Sequence, residues 1–399
     1  MASISLRKLL QPDPCAECGY DPAFHRFEKW SAMLDAFLNK TMRPLHVLSH
    51  GLSVPYGVLA DYAMPFVARL LAGLGLASFV HTPDEHSSET AQCLWEEAKR
   101  RRIDMRELRF LGLPRRMFIA SHMGRSIAFE GLPRPNRKQP SLDWIDDKSE
   151  LKKRFSRIGF PVPRGEVCGS ENQAIARFAL LRAPVITKPH TGSGGRHTTT
   201  GIMNHADLRA GFYNAQKLSP WVIVEEELDG PVFRATLIGQ KFAGVLRRDP
   251  PHVIGDGIRT VRELVEEENK NPLRNGPAFA KISTNVSGVD YNRIPAKGET
   301  VRFHFKVNWG VGGTSRDATD ETHPDNKKLF EKIGEYLGDD IIGIDFMAPD
   351  ISKSWKEQER CGVIECNSLP HIGNHHFPYT GPVRDVAGAV WDLAFPGSK

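Results

Sequence analysis

Gly343-Ile-Asp345-Phe346 and, shortly after it, Val363-Ile-Glu365-Cys-Asn367-Ser-Leu-Pro370 decide how this chain is read. Each is a short apolar run that ends by presenting oxygen ligands, an acid in the first and Glu-x-Asn in the second. Mg²⁺ favours that donor set: one or two carboxylates, with water and substrate phosphates filling the remaining positions. An Asp-bearing strand beside a Glu-x-Asn strand would place Asp345, Glu365 and Asn367 around a pair of ions. The ordinary alternative is two buried strands ending at polar turns.

Upstream residues favour the first reading. Lys188 ends an apolar strand, Ala183 to Pro189, and directly precedes Thr191-Gly192-Ser193-Gly194-Gly195-Arg196. Glycines let backbone N–H groups approach phosphate oxygens, and a lysine supplies a point charge for them. The string fits neither the Walker pattern nor the dinucleotide fingerprint, because the helix it precedes starts several residues later. A second strand, Trp221 to Leu228, ends in Glu225-Glu226-Glu227-Leu228. Three adjacent acids repel one another, and an adenine amino group would offset that cost; an exposed acidic turn is the alternative.

Composition sets the outer limits. The 399 residues are 40% hydrophobic and 25% charged, those of an ordinary globular protein with room for two or three cores. No apolar run is long enough for a membrane span, and Met1 to Pro12 lacks the apolar core of a secretory signal, so the expected compartment is the cytoplasm. A net charge of +5 suits anionic small molecules but is too weak to indicate nucleic acid. Lys99-Arg100-Arg101-Arg102 reads as a solvated helix face. Cys15-Ala-Glu-Cys18 is a lone CxxC with no second pair. His25 and other histidines offer further ligands, yet the spacing matches no familiar zinc site, so it reads as an incidental pair of thiols.

The pattern predicts an N-terminal α/β unit over residues 1–114, with strands at His46 and Ala77 and helices over Tyr56–Leu74 and Ser88–Arg102. Residues 115–399 form a second unit, whose smaller part covers roughly residues 150–228. A hairpin is expected from Val232 to Ile238 and Lys241 to Arg247, turning at Gly239-Gln240.

Taken in order, Asp147-Lys148, Thr187-Lys-Pro189, Gly195-Arg196, Val222-Ile-Val-Glu225, Phe233-Arg234, His252-Val-Ile-Gly-Asp-Gly257, Gly343-Ile-Asp345 and Glu365-Cys-Asn367 resemble the ATP-grasp superfamily. The resemblance is to the ATP-grasp domain of cyanophycin synthetases and bifunctional glutathione synthetases, over residues 115–399. It implies α+β subdomains that clamp ATP, preceded by a substrate-binding domain. By it, Lys148 and Lys188 contact phosphates, Gly192 to Arg196 close over them, and Glu225, Glu226, Glu227 and Leu228 receive the base. Asp345, Glu365 and Asn367 hold two Mg²⁺, with Mn²⁺ admissible. The implied reaction is ATP-dependent joining of a carboxylate to an amine, on amino acids or peptide-like molecules, with no nucleic-acid or membrane partner and with homo-oligomers common among relatives.

Departures bear on the substrate. His304-Phe305-Lys306 replaces an Arg-Arg-Asn string before Asn308, leaving Arg302 or Lys306 to supply a single charge, and a lysine does not reproduce a bidentate arginine clamp. Arg234, Asn308 and His371 are the remaining substrate-side candidates, and His375-His376 either shape the acceptor pocket or are ordinary loop histidines. A small-molecule kinase and a nucleotide-binding module without turnover are the alternatives.

Overall fold

The computed structural model describes residues 15, 24–34, 66–84, 87–110, 113–135, 144–145, 147–192, 194–275, 279–286, 288–304, 307 and 309–398. Cys18, Ser193, Lys306, Asn308, the strand expected at His46 and the first part of the helix expected over Tyr56–Leu74 lie outside them.

The first sheet is an antiparallel meander of Ala77–Val80, Asp104–Phe110, Leu113–His122 and Arg125–Glu130. It runs on well past residue 114, so the boundary expected between residues 114 and 115 falls inside the sheet rather than between units. Ser88 caps the helix Glu89–Arg100, its hydroxyl accepting from the Ala91 N–H at 3.3 Å. That helix lays Leu94 and Trp95 on Phe118 and Phe129 of the sheet. Val390 and Trp391 of the helix Val386–Ala394 complete the same core. Trp391 Nε1 donates to the Leu94 carbonyl at 3.0 Å, joining residues far apart in the chain.

The central sheet has five antiparallel strands in the order Thr314–Asp317, Lys241–Asp249, Val232–Ile238, Ile341–Met347 and Gly362–Asn367. The middle strands are buried almost throughout, as their unbroken apolar runs require. The helix Pro324–Leu337 packs Leu329, Phe330, Ile333 and Leu337 on the sheet and ends at Gly338, whose φ of 66° suits glycine. Leu151 and Phe155 of the helix Lys148–Arg157 enter this core too.

A smaller sheet, ordered Gly165–Cys168, Val222–Glu226, Val185–Pro189 and Thr199–Ile202, carries the helices Glu171–Phe178 and His205–Ala215 and has a core of its own. A two-stranded ribbon, His252–Ile254 with Thr300–Arg302, packs under the helix Val261–Glu268. Every pair of strands named here is antiparallel, so the class is α+β.

Candidate active site

Register builds the site. Asp345 stands opposite Arg234 on one neighbouring strand and opposite Glu365 on the other, and directly opposed residues share a face. Arg234, Asp345 and Glu365 therefore form a row across three strands, with Asn367 two residues beyond Glu365 on the same face. Gly343 makes room for it: a Cβ there would lie 3.0 Å from Arg234 Nη1 and 2.8 Å from Pro370 Cβ.

Within the row Arg234 grips Asp345 by both oxygens, Nε to Oδ1 at 2.5 Å and Nη2 to Oδ2 at 2.7 Å. The Asn367 amide, in the orientation that satisfies both of its ends, accepts from Arg234 Nη2 at 3.0 Å and donates to Glu365 Oε1 at 3.3 Å. Both members of the clamp are buried. Burial alone would raise the Asp345 pKa, but the Arg234 charge outweighs it and holds the carboxyl below its ordinary value. Each clamped oxygen keeps a second lone pair. Two carboxylates and an amide oxygen on adjacent strands are the hard donors that Mg²⁺ takes, so this donor set fits that ion.

Across the cleft, Lys188 and Glu225 share one face of the smaller sheet, since Ile186 pairs with Glu225 and Lys188 with Ile223. Glu225 is 1% exposed, and its two oxygens accept from Lys188 Nζ at 2.6 Å and Lys152 Nζ at 2.5 Å. Its carboxylate is thus occupied by two ammoniums rather than presented to a base. Burial alone would depress Lys188, yet the Glu225 charge and hydrogen bond hold it up. Burial pushes Lys152 down, with Glu225 opposing and Lys188 adding to the shift. Lys148 starts the helix Lys148–Arg157 and donates to the Gly192 carbonyl at 2.5 Å. The helix is anchored by Asp147, which accepts from Ser149 N–H at 2.9 Å and Glu150 N–H at 3.1 Å and lies 3.3 Å from His190 Nε2.

Together these groups line one cavity of about 1060 Å³ between the two sheets. Lys148, Lys188, Gly192, Gly194, Gly195, Arg196, Glu225 to Leu228, Arg234, Asp345, Glu365, Asn367 and His371 all border it. Gly194 and Gly195 have φ of 68° and 65°, which the close-approach loop requires. The last two acids of the strand end are partly engaged: Glu226 Oε1 accepts from Arg182 N–H and Glu227 Oε2 from Gly201 N–H. Arg302 does not border the cavity; it sits exposed on the ribbon, where its strand pairs it with His252. His375 is a core residue, 1% exposed, with Nε2 2.8 Å from Thr236 Oγ1, and burial pushes it down to about 3. His376 Nε2 accepts from the Ala387 N–H at 3.0 Å.

Sequence reasoning missed four contributors. Lys152 follows Lys148 by four residues, a spacing that puts both on one helix face and was available to be read. Arg248 lies 3.7 Å from Asp345 Oδ1, stacks at 5.7 Å on Trp309, and has a buried Nε with no hydrogen-bond partner among the described residues. Burial, with Arg234 nearby, pushes it down to about 10. Trp309 and Glu89 also line the cavity. Glu89 is brought there by a close approach, since a Cβ on Gly373 would lie 2.8 Å from Glu89 Cβ.

No protein-family model matches the chain. It is 33% identical to a cyanophycin synthetase of Nostoc sp. (strain PCC 7120) over 266 residues, which cover 63% of this chain and 29% of that one. It is 31% identical over 268 residues to the glutathione biosynthesis bifunctional protein of Mannheimia succiniciproducens, covering 63% and 35%. The chain therefore spans about a third of the length of these curated relatives. The crystal structure of a bifunctional glutathione synthetase from Pasteurella multocida superposes with a TM-score of 0.60 at 28% identity, over 77% of this chain and 43% of that one. The chain has the ATP-grasp fold, and its sequence similarity is to the cyanophycin synthetases and bifunctional glutathione synthetases.

Proposed function

We propose that this protein is an ADP-forming carboxylate–amine ligase that joins amino acids or peptide-like molecules through an acylphosphate. The observation that carries the reading is the placement of Asp345, Glu365 and Asn367 across one cavity from Lys148 and Lys188. The triphosphate lies between them, under the loop that runs from Gly192 to Arg196. With Glu225 held by its two lysines, the base sits against the stretch from Glu226 to Leu228.

Two Mg²⁺ on Asp345, Glu365 and Asn367 would supply charge neutralisation along the phosphoryl path. The chain's own residues do the remaining work. Lys148 and Lys188 orient the phosphates as point charges, which makes the γ-phosphorus accessible to a carboxylate oxygen. Its attack forms the acyl–O–P bond and breaks the bond to the bridging oxygen of ADP. Arg248, with its buried unpartnered Nε, is the residue we assign to the substrate carboxylate, in place of Arg302. The amine then attacks the acyl carbon, phosphate leaves, and the amine proton passes to a base. His371 suits that step: its ring is exposed to the cavity, and desolvation by its neighbours with the charges of Arg234, Arg116 and Arg248 lowers its pKa, which favours the neutral imidazole. Glu89, from the first sheet's helix, faces the same space and would receive the ammonium of an incoming amino acid.

None of the described helices is long and apolar enough to cross a membrane. We place the enzyme in the cytoplasm, acting on small molecules. The test is Mg²⁺-dependent phosphate release from ATP over a matrix of paired amino acids and dipeptides, with mass spectrometry of each mixture. Release that needs both partners, with a product one water lighter than their sum, supports the ligase. A phosphorylated product formed without an amine would replace it with a kinase.

A further inference from the structure

A second cluster stands apart from the phosphate side of the cleft, where the N-terminal segment meets the loop that follows the smaller sheet's central strand. Cys15 Sγ lies 3.4 Å from His197 Nε2, and His197 Nε2 lies 3.2 Å from His25 Nε2. All three ligand-type atoms fall within 4.8 Å of one another. His197 is fully buried and His25 is 9% exposed.

The spacings match a tetrahedral metal. Zinc bonds of ~2.0–2.1 Å to nitrogen and ~2.3 Å to sulfur separate two nitrogens by about 3.3 Å, and a nitrogen and a sulfur by about 3.6 Å. The tautomer is set for it independently. His197 Nδ1 lies 3.0 Å from Asn214 Oδ1, and the other end of that amide donates to Thr199 Oγ1 at 3.4 Å, which fixes the oxygen toward the ring. Nδ1 therefore carries the proton and Nε2 turns its lone pair into the cluster, the outer-sphere arrangement of metal-bound histidines. His197 also holds a φ of 52°, a left-handed conformation that favours glycine, so its position is enforced by its surroundings.

We propose that Cys15, His25 and His197 bind a zinc ion. Thiolate and imidazole donors select zinc over the hard cation of the main cavity. These three ligands leave the fourth position of a tetrahedral site to a further donor. The ion is structural. It ties residue 15 and the helix of residues 25–34 to the end of the glycine-rich loop, beside the Arg196–Glu28 ion pair at 2.8 and 2.9 Å. This assignment replaces the incidental thiol pair expected from the sequence, and it does not depend on the ligase reading.

The test uses the full chain, purified without chelator. Expected is one zinc per chain by elemental analysis. After removal of zinc, Co²⁺ titration should give a tetrahedral visible spectrum with a thiolate-to-cobalt charge-transfer band. Cys15→Ser and His25→Ala should each weaken zinc affinity by at least about tenfold, while Cys93→Ser, a buried thiol elsewhere, should leave zinc content unchanged. Circular dichroism separates lost metal from lost fold. Folded wild-type protein with neither zinc nor a thiolate–cobalt band would overturn the proposal and leave a thiol–imidazole hydrogen-bond chain. Full zinc content in folded Cys15→Ser/His25→Ala protein would also overturn it.

Discussion

Replacing Glu225 with glutamine is the sharpest probe of how the phosphate side is held together. The carboxylate is 1% exposed and carries two charge-assisted bonds, at 2.5 and 2.6 Å, to Lys152 and Lys188. The amide keeps the volume and one acceptor oxygen, but it leaves two buried ammoniums without a counter-charge. Breaking a buried ion pair by removing one partner costs about 3–5 kcal/mol. The retained acceptor places Glu225→Gln near ~3 kcal/mol, which lowers the guanidinium midpoint by roughly 0.5–1 M for ordinary m-values. The loss should also depend on pH. In the variant both lysines have folded pKa values below the unfolded value of about 10.4, so the unfolded state binds more protons and stability rises with pH up to that value. Lys152, already pushed down to about 7 in the wild type, gives a weaker slope of the same sign from there upward. Equilibrium denaturation at several pH values reads both effects. Glu225→Gln/Lys152→Met should recover about 1–2 kcal/mol of the loss by removing one stranded charge. A variant with the wild-type midpoint, or a double variant with no recovery, would refute the account.

Glu365→Gln should lower turnover at least ~100-fold with only a small fall in melting temperature, because that side chain faces the cavity and supports Lys148, Arg234 and Arg248 through space rather than by a direct ion pair; steady-state phosphate release and calorimetry check it. Asp345→Ala, by contrast, should lose both turnover and about 3–5 kcal/mol of stability, since Arg234 is left buried and unpaired; a fully stable Asp345→Ala protein would deny the clamp. Arg248→Met should raise the KM of the carboxylate substrate more than tenfold while moving the KM of ATP little, and an unchanged carboxylate KM would remove Arg248 from that role. His375 should make the fold acid-sensitive. Its folded value of about 3 lies below the unfolded 6.5, so stability falls as pH drops below 6.5, and His375→Gln should flatten that part of the curve.

Side chains with local signatures were legible in the sequence. Asp345, Glu365 and Asn367 end apolar runs, Lys188 precedes its glycines, and the structure brings these together around one cavity. Groups defined by pairing between distant strands were not. Arg234 is seen as a clamp only once Asp345 is known to lie opposite it, and Glu225 as a counter-ion only once Lys152 arrives from another element. That Leu113–His122 joins the sheet of Asp104–Phe110 was likewise hidden, since no local signature reports which strands pair. Cys15 and His25 could be noted together in the sequence, but not their meeting with His197, which is 182 residues from Cys15.

The core shared by the helices Glu89–Arg100 and Val386–Ala394 has a consequence for synthesis on the ribosome. The helix Glu89–Arg100 covers Phe118 early, but Phe129 waits for Trp391, so the first sheet emerges with part of that face uncovered and stays so while the intervening strands are translated. Such high contact order slows folding and exposes apolar surface in the meantime. Nascent chains halted before residue 386 should therefore engage chaperones that full-length chains release, and the two helices should gain protection from hydrogen exchange in a single step.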